Sequence, residues 1–477
     1  MVKKPERTGG YATFGLTYSS IYGTGVSCLA VMILGLGAVL ALSRTAYCSL
    51  RPVETSDRQT APTIAPQAPS VDPNLSPRQQ TAALKKEELE VAETLLKEFP
   101  NTEDAFVLMG NVLGRHGNTA KAIEFWKKAI SLNPNRADLH CSIGKVALGS
   151  GEYDKAIEYY QNAIRIDPTA SGGFTGLARA FMASGEQDMA IEELEKGLAL
   201  MPYYVDGHEL IAQLYLQRKE YEKARDHYET ATKIRPDYTS AYYGLISVYS
   251  RLKQPEKVKK NMAIFKRLKA EDMKTLKDRN AAYDDLLLTK AAVAETCAYA
   301  QMLYQARGDM KRAHELLVRG LAIDPNSVTC LDGIGFLYLS SGHLQDALVA
   351  YTKLVEIDPG SVTCYLNIGI ICSRIGRPQD AEAAFKKAVS LTPRASDPYR
   401  ELARLYLRFK KDLPAALELA RKAVDLEQKA ENYFVLAWAC DLNGDIARTL
   451  AAMEKAVELE PGNMRYKQAY EQAKKRN

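Results

Sequence analysis

Residues recur at a fixed spacing of 34 along most of this chain, and no other feature restricts its fold so tightly. The clearest copy runs from 137 to 170. It has Gly144 at position 8, Gly151 at 15, Tyr153 at 17, Ala156 at 20, Tyr160 at 24, Ala163 at 27 and Pro168 at 32. The preceding copy repeats this with Gly110, Gly117, Ala122, Trp126, Ala129 and Pro134. A period of this length means one small supersecondary unit per copy. Each unit is too small to bury its own apolar face, so neighbours must stack.

Each recurring position has a physical task. Small residues at 8 and 20 let two helices approach closely, and large residues at 11, 17 and 24 fill the space beside that contact. Glycine at 15 ends the first helix, where a left-handed backbone is wanted. Proline at 32 stops the second helix and opens the turn into the next copy. Each unit therefore reads as helix, tight turn, antiparallel helix.

Further copies carry Ala178, Phe181, Gly185, Ala190 and Pro202, then Ala212, Tyr215, Tyr221, Ala224, Tyr228, Ala231 and Pro236. A fifth copy is degenerate, with Val258 and Phe265 where alanine is usual. The register breaks over 273–293 and resumes at 294–327, 328–361 and 362–395 with Gly308, Gly335, Gly342, Gly369, Gly376, Phe385 and Pro393. A ninth copy holds Ala416, Ala420 and Ala423 after a one-residue insertion, and a tenth holds Ala437, Gly444, Ala456 and Pro461. These residues resemble the tetratricopeptide-repeat (TPR) family over 103–463. The resemblance implies an all-α fold, an α-α superhelical solenoid of about ten helix-turn-helix repeats, here preceded by a membrane anchor and a disordered linker. The expected organisation is a polar tail (1–25), an anchor or signal segment (26–43), a Pro-rich linker (44–80) and a lone helix (81–102). Five repeats (103–265), a basic helical spacer (266–293), five more repeats (294–463) and a polar capping helix (464–477) follow.

Composition agrees with a folded, mostly soluble chain: 46% hydrophobic and 25% charged over 477 residues. The net charge of +5 is concentrated, since ten Lys or Arg face four Asp or Glu between Lys253 and Arg279. The remainder is close to neutral, which argues against a broad nucleic-acid-binding face. The eight cysteines show neither CxxC pairing nor metal spacing. Six of them fall inside helical patterns, where a thiol fills core. No cofactor or metal site is expected. No phosphate-cradling loop, HExxH or GxSxG occurs, and His140 and Cys141, being adjacent on a helix, point apart. An enzymatic reading would have to rest on dispersed residues such as His208 and Glu209.

Residues 26–42, VSCLAVMILGLGAVLAL, are uncharged, short for a membrane span and long for a signal-peptide core. We read them as an uncleaved single-pass anchor, with cleavage after Ser43 as the alternative. Lys3, Lys4 and Arg7 on one side balance Arg44, Arg51 and Arg58 on the other, so positive charge does not settle the orientation. Six prolines between Arg51 and Gln80 resemble an exported stalk, which favours an extracytoplasmic array.

TPR arrays are similar to one another in lining a concave groove with first-helix positions 2, 5, 9, 12 and 13. In that frame the first half presents Asn111, Arg115, Lys145, Arg179 and Gln213. The second presents Phe336, Leu339, Leu366, Ile370, Phe434 and Trp438, with Arg374, Arg400, Arg404 and Arg408 beside them. The last three arginines share a helix face at i, i+4, i+8. The expected ligand is a peptide segment with apolar anchors and acidic groups, since arginine suits bidentate carboxylate binding and buried aromatics dominate interface energy. The alternative is packing, with the aromatics between repeats and the arginines paired to Glu401. Val107, Cys141, Thr175 and Glu209 occupy position 5 of the first four repeats, so the carboxylate clamp of chaperone-binding relatives is absent there. The 266–293 stretch reads as a spacer, or as a basic patch for an anionic membrane or acidic partner. The function implied is a membrane-tethered, non-enzymatic scaffold for other proteins. The alternatives are a self-associating envelope tether or a soluble exported protein.

Overall fold

The computed structural model describes residues 72, 74–281 and 285–476. The polar tail, the 26–43 anchor and most of the linker lie outside the described residues. Among the described residues no helix is long and apolar enough to cross a membrane.

Twenty-two helices and no strand are found among the described residues. After Pro77–Glu98 they follow in consecutive pairs, beginning Glu103–Arg115 with Thr119–Leu132 and Ala137–Gly149 with Tyr153–Ile166. The chain divides into two compact units, Asn74–Thr289 and Lys290–Asn477.

Position 15 explains the tight turns. Gly117, Gly151, Gly185, Gly308, Gly342, Gly376 and Gly444 all have positive φ, between 77° and 91°. In three repeats the same position holds lysine, and Lys219, Lys253 and Lys410 are driven into the left-handed region at φ 64°, 56° and 49°. A Cβ there costs about 1–2 kcal/mol, so the hairpin geometry overrides local preference at these three sites.

The helix contact at position 8 is equally specific. A Cβ on Gly369 would lie 2.4 Å from Phe385, the aromatic at position 24 of its own repeat. Tyr160 serves two repeats: it lies against Gly144, and a Cβ on Gly176 in the next repeat would come within 2.2 Å of its ring. The alanines at position 20 (Ala122, Ala156, Ala190, Ala224, Ala313, Ala347, Ala381) are fully buried. One stripe of small and aromatic residues thus joins helix to helix and repeat to repeat, and in the first unit it forms a continuous core from Ala137 to Leu268.

Two elements frame the repeats. The Pro77–Glu98 helix buries Leu84, Ala92 and Leu95 together with one carboxylate, Glu88. Glu88 accepts from Arg115 Nη2 at 2.5 Å and lies 2.7 Å from His116 Nε2. At the carboxy terminus, Met464–Lys474 is polar outside but buries Tyr466 and Ala473. The stretch expected as a spacer divides between two helices. Pro255–Ala281 runs for 27 residues where the other second helices have 14, and Asp285–Ala306 follows.

Candidate peptide-binding groove

In the first unit, side chains from two successive first helices line one concavity of about 270 Å³. Gln213, Leu216 and Gln217 of Val205–Gln217 face Ser240, Tyr243 and Ser247 of Thr239–Arg251 across it, with Tyr228 and Gly244 also lining it. These are groove positions 9, 12 and 13 of one repeat and 2, 5 and 9 of the next. Of the other polar groups expected on this lining, Lys145 and Arg179 are exposed, whereas Asn111 and Arg115 are engaged internally. Asn111 accepts from Trp126 Nε1 at 3.0 Å, and Arg115 is paired to Glu88.

In the second unit the apolar candidates separate by depth. Phe336, Ile370, Phe434 and Trp438 are half-buried, whereas Leu339 and Leu366 are buried. Leu366 belongs to the core with Phe385 and Leu402, because the Val362–Arg374 and Ser396–Phe409 helices pack directly on one another. Phe434 packs against Tyr466 of the terminal helix, ring centroids 5.1 Å apart, with the Arg465 guanidinium 4.4 Å from its ring.

The arginines separate likewise. Arg400 is buried and donates to Asp397 at 2.5 Å, Glu401 at 3.1 Å and Asn432 Oδ1 at 3.3 Å. Burial opposes its charge, but Glu401, Asp397 and Glu431 outweigh that and hold the guanidinium protonated above its ordinary range. Arg404 is half-buried and bridges Glu401 at 3.2 Å to Glu431 at 2.7 Å. Arg374 and Arg408 are exposed, Arg408 lying 5.7 Å from the Phe409 ring. The three arginines share the i, i+4, i+8 spacing, yet depth along it differs: Arg400 is buried, Arg404 half-buried and Arg408 exposed. One candidate groove residue escaped the sequence reading: Asp332, at position 5 of the repeat that carries Phe336 at position 9. Its register position was the available signal.

The residues on which catalysis would have rested are occupied. His208 Nε2 donates to the Pro202 carbonyl at 3.0 Å, and its Nδ1 lies 3.0 Å from Nδ1 of His227. Burial, then the neighbouring His208, pushes His227 down to about 4. Glu209 accepts from Tyr238 and Ser240. Burial pushes the thiols of Cys141 and Cys330 up to about 12, far from a nucleophile's range. The six described cysteines form no disulfide, and all are buried.

A hairpin repeat with glycine turns, a shared aromatic stripe and a lined concavity defines a helical-repeat binding module. Tetratricopeptide-repeat family models match residues 103–136, 137–170, 333–399, 373–432 and 430–463, and a TPR repeat model matches 212–252. The chain belongs to the tetratricopeptide-repeat family. No curated protein matches it. Among solved structures it is similar to TTC0263, a thermophilic TPR protein in Thermus thermophilus (21% identity, 38% of this chain, 98% of that chain, TM-score 0.33). It is also similar to a chain of the APC/C hetero-tetramer Cut9-Hcn1 (14% identity, 81% of this chain, 92% of that chain, TM-score 0.34). A third is YrrB, a TPR protein with an unusual peptide-binding site (16% identity, 37% of this chain, 92% of that chain, TM-score 0.32).

Proposed function

We propose that this protein is a membrane-tethered, non-enzymatic scaffold whose second unit binds peptide segments of partner proteins in its groove. One contrast carries the reading. The second helices of this unit carry local ion pairs such as Glu382–Lys386 at 2.8 Å, Arg377–Asp380 at 2.6 Å and Arg421–Glu418 at 2.7 Å. The first helices instead present half-buried Phe336, Ile370 and Trp438 beside exposed Arg374 and Arg408. Apolar side chains left partly in water on a concave face suit a partner that finishes burying them. Arg374 and Arg408 serve acidic groups of that partner, while Arg400 and Arg404 stiffen the wall behind. Residues 26–43 tether the array, and the Pro-rich stalk favours the extracytoplasmic side.

The test is site-specific photocrosslinking in intact cells. A crosslinker at Ile370 yields discrete adducts, and one at Lys387, exposed on the outer Pro378–Leu391 helix, does not. Equal adduct patterns at both positions overturn the groove assignment. Carbonate extraction and protease access to whole cells test the tether: release from membranes refutes it.

A further inference from the structure

The groove of the second unit holds an acid with no base beside it. Asp332 lies one helical turn before Phe336 on Val328–Ser341, so both side chains leave the same helix face. It is half-buried and makes no ion pair or hydrogen bond among the described residues. Desolvation, unrelieved by any nearby cation, pushes its carboxyl up to about 6. Several other sheltered carboxylates of this unit are matched to cations. Glu382 meets Lys386, Lys411 and Tyr406; Glu401 meets Arg400 and Arg404; Asp397 meets Arg400. A carboxylate withdrawn from water without a counter-ion is destabilising, and such groups concentrate where a ligand supplies what is missing.

We propose that Asp332 receives a cationic side chain of the bound segment, a Lys or Arg set on its carboxylate while apolar residues of the segment cover Phe336 and Ile370. This rests on the groove being the peptide site. Ile370 repeats the register of Phe336 one repeat on, and Arg374 follows it by one helical turn. The segment is therefore mixed in charge, basic at Asp332 and acidic towards Arg374. A polyanion, whether nucleic acid or phospholipid, is repelled at this point of the groove. Arginine would bind the carboxylate through two parallel N–H donors, lysine as a point charge.

The experiment selects phage-displayed random dodecapeptides on the full chain, then measures the most enriched sequence as a fluorescein-labelled synthetic peptide. Selected peptides share a Lys or Arg at fixed spacing from an apolar residue. Replacing that residue by norleucine weakens binding at least tenfold. Asp332→Asn weakens binding of the parent peptide equally and no longer distinguishes the two peptides, the signature of a direct pair in a double-mutant cycle. Asp332→Lys recovers affinity for a peptide carrying Glu at the basic position. Thermal melting checks the fold of each variant, and the norleucine peptide tests the pair on unaltered protein. If peptides lack a common base, or wild type and Asp332→Asn bind alike while Phe336→Ala binds weakly, the pairing is wrong and the groove stands. If Phe336→Ala and Ile370→Ser bind as wild type, or no peptide is selected, the groove reading falls and this inference with it.

Discussion

A lysine in the left-handed region is a local cost that the repeat imposes, and the three sites offer a clean measurement. Lys219→Gly, Lys253→Gly and Lys410→Gly each remove the Cβ conflict, at the expense of a more flexible unfolded chain. Each is expected to stabilise by about 0.5–1 kcal/mol, read as a raised urea midpoint with unchanged m; loss of stability would contradict the strain. The converse holds where glycine is a contact. Gly369→Ala forces a methyl towards buried Phe385 and is expected to cost about 1–3 kcal/mol. Asp332 makes a pH signature. Its folded pKa, about 6, lies above the ordinary 3.8, so its contribution is fully present below pH 4 and is lost as pH rises through 6. Asp332→Asn should therefore match wild type near pH 4 and exceed it above pH 6, by up to about 3 kcal/mol for a shift of two units. Identical melting curves from pH 4 to 8 would show that the carboxylate is not desolvated. Glu382 works in the opposite sense. Lys386 and Lys411 hold it down at about 2, so its stabilisation is present above pH 4.5 and disappears as pH falls towards 2.

At the scale of elements, Pro77–Glu98 is held by a short apolar stripe and one buried acid. Glu88 faces Arg115 and His116, and removing its charge takes this buried pairing from both. Glu88→Ala should cost about 3–5 kcal/mol locally and raise hydrogen exchange over 77–98, with little change beyond the first repeat. Pro255–Ala281 poses a different question. Lys257, Lys259, Lys260, Lys266, Arg267 and Lys269 are exposed on it, and no salt bridge to them is found among the described residues, whereas helices elsewhere pair many of their cations. Lys257 and Lys269 instead lie over the rings of Tyr249 and Phe265 at 4.9 and 5.5 Å. The helix reads as a long second helix first; salt-sensitive binding of the chain to phosphatidylserine vesicles would make it a membrane contact as well.

At the scale of the whole molecule, each repeat is stabilised by its neighbours, and the ends are the weak points. The terminal helix Met464–Lys474 closes the second unit by burying Tyr466 against Phe434. Tyr466→Ser should increase exchange over Ala430–Leu459 while leaving Val328–Leu391 protected. Uniform loss of protection would mean that the second unit unfolds as one cooperative block rather than repeat by repeat.

The sequence alone determined the hairpin repeat, its period and its internal contacts, because those depend on residues a fixed number of places apart on regular helices. Gly144, Ala156 and Tyr160 could be assigned to one contact by counting. The same counting placed Arg400, Arg404 and Arg408 on one helix face, while the candidate groove rows came from the family resemblance. It could not assign depth or partner, since these depend on residues far apart in the chain. Arg404 is bound to Glu431 and Phe434 to Tyr466, each 27 or more places away, and Tyr160 is shared with a glycine in the next repeat. Only the tertiary structure could show that Lys410 must take a glycine's backbone, that Leu366 sinks into the core while Ile370 stays partly exposed, and that Asp332 is sheltered without a counter-ion among the described residues. Charge compensation and burial are sums over every neighbour in space, and a one-dimensional pattern holds only those along its own helix.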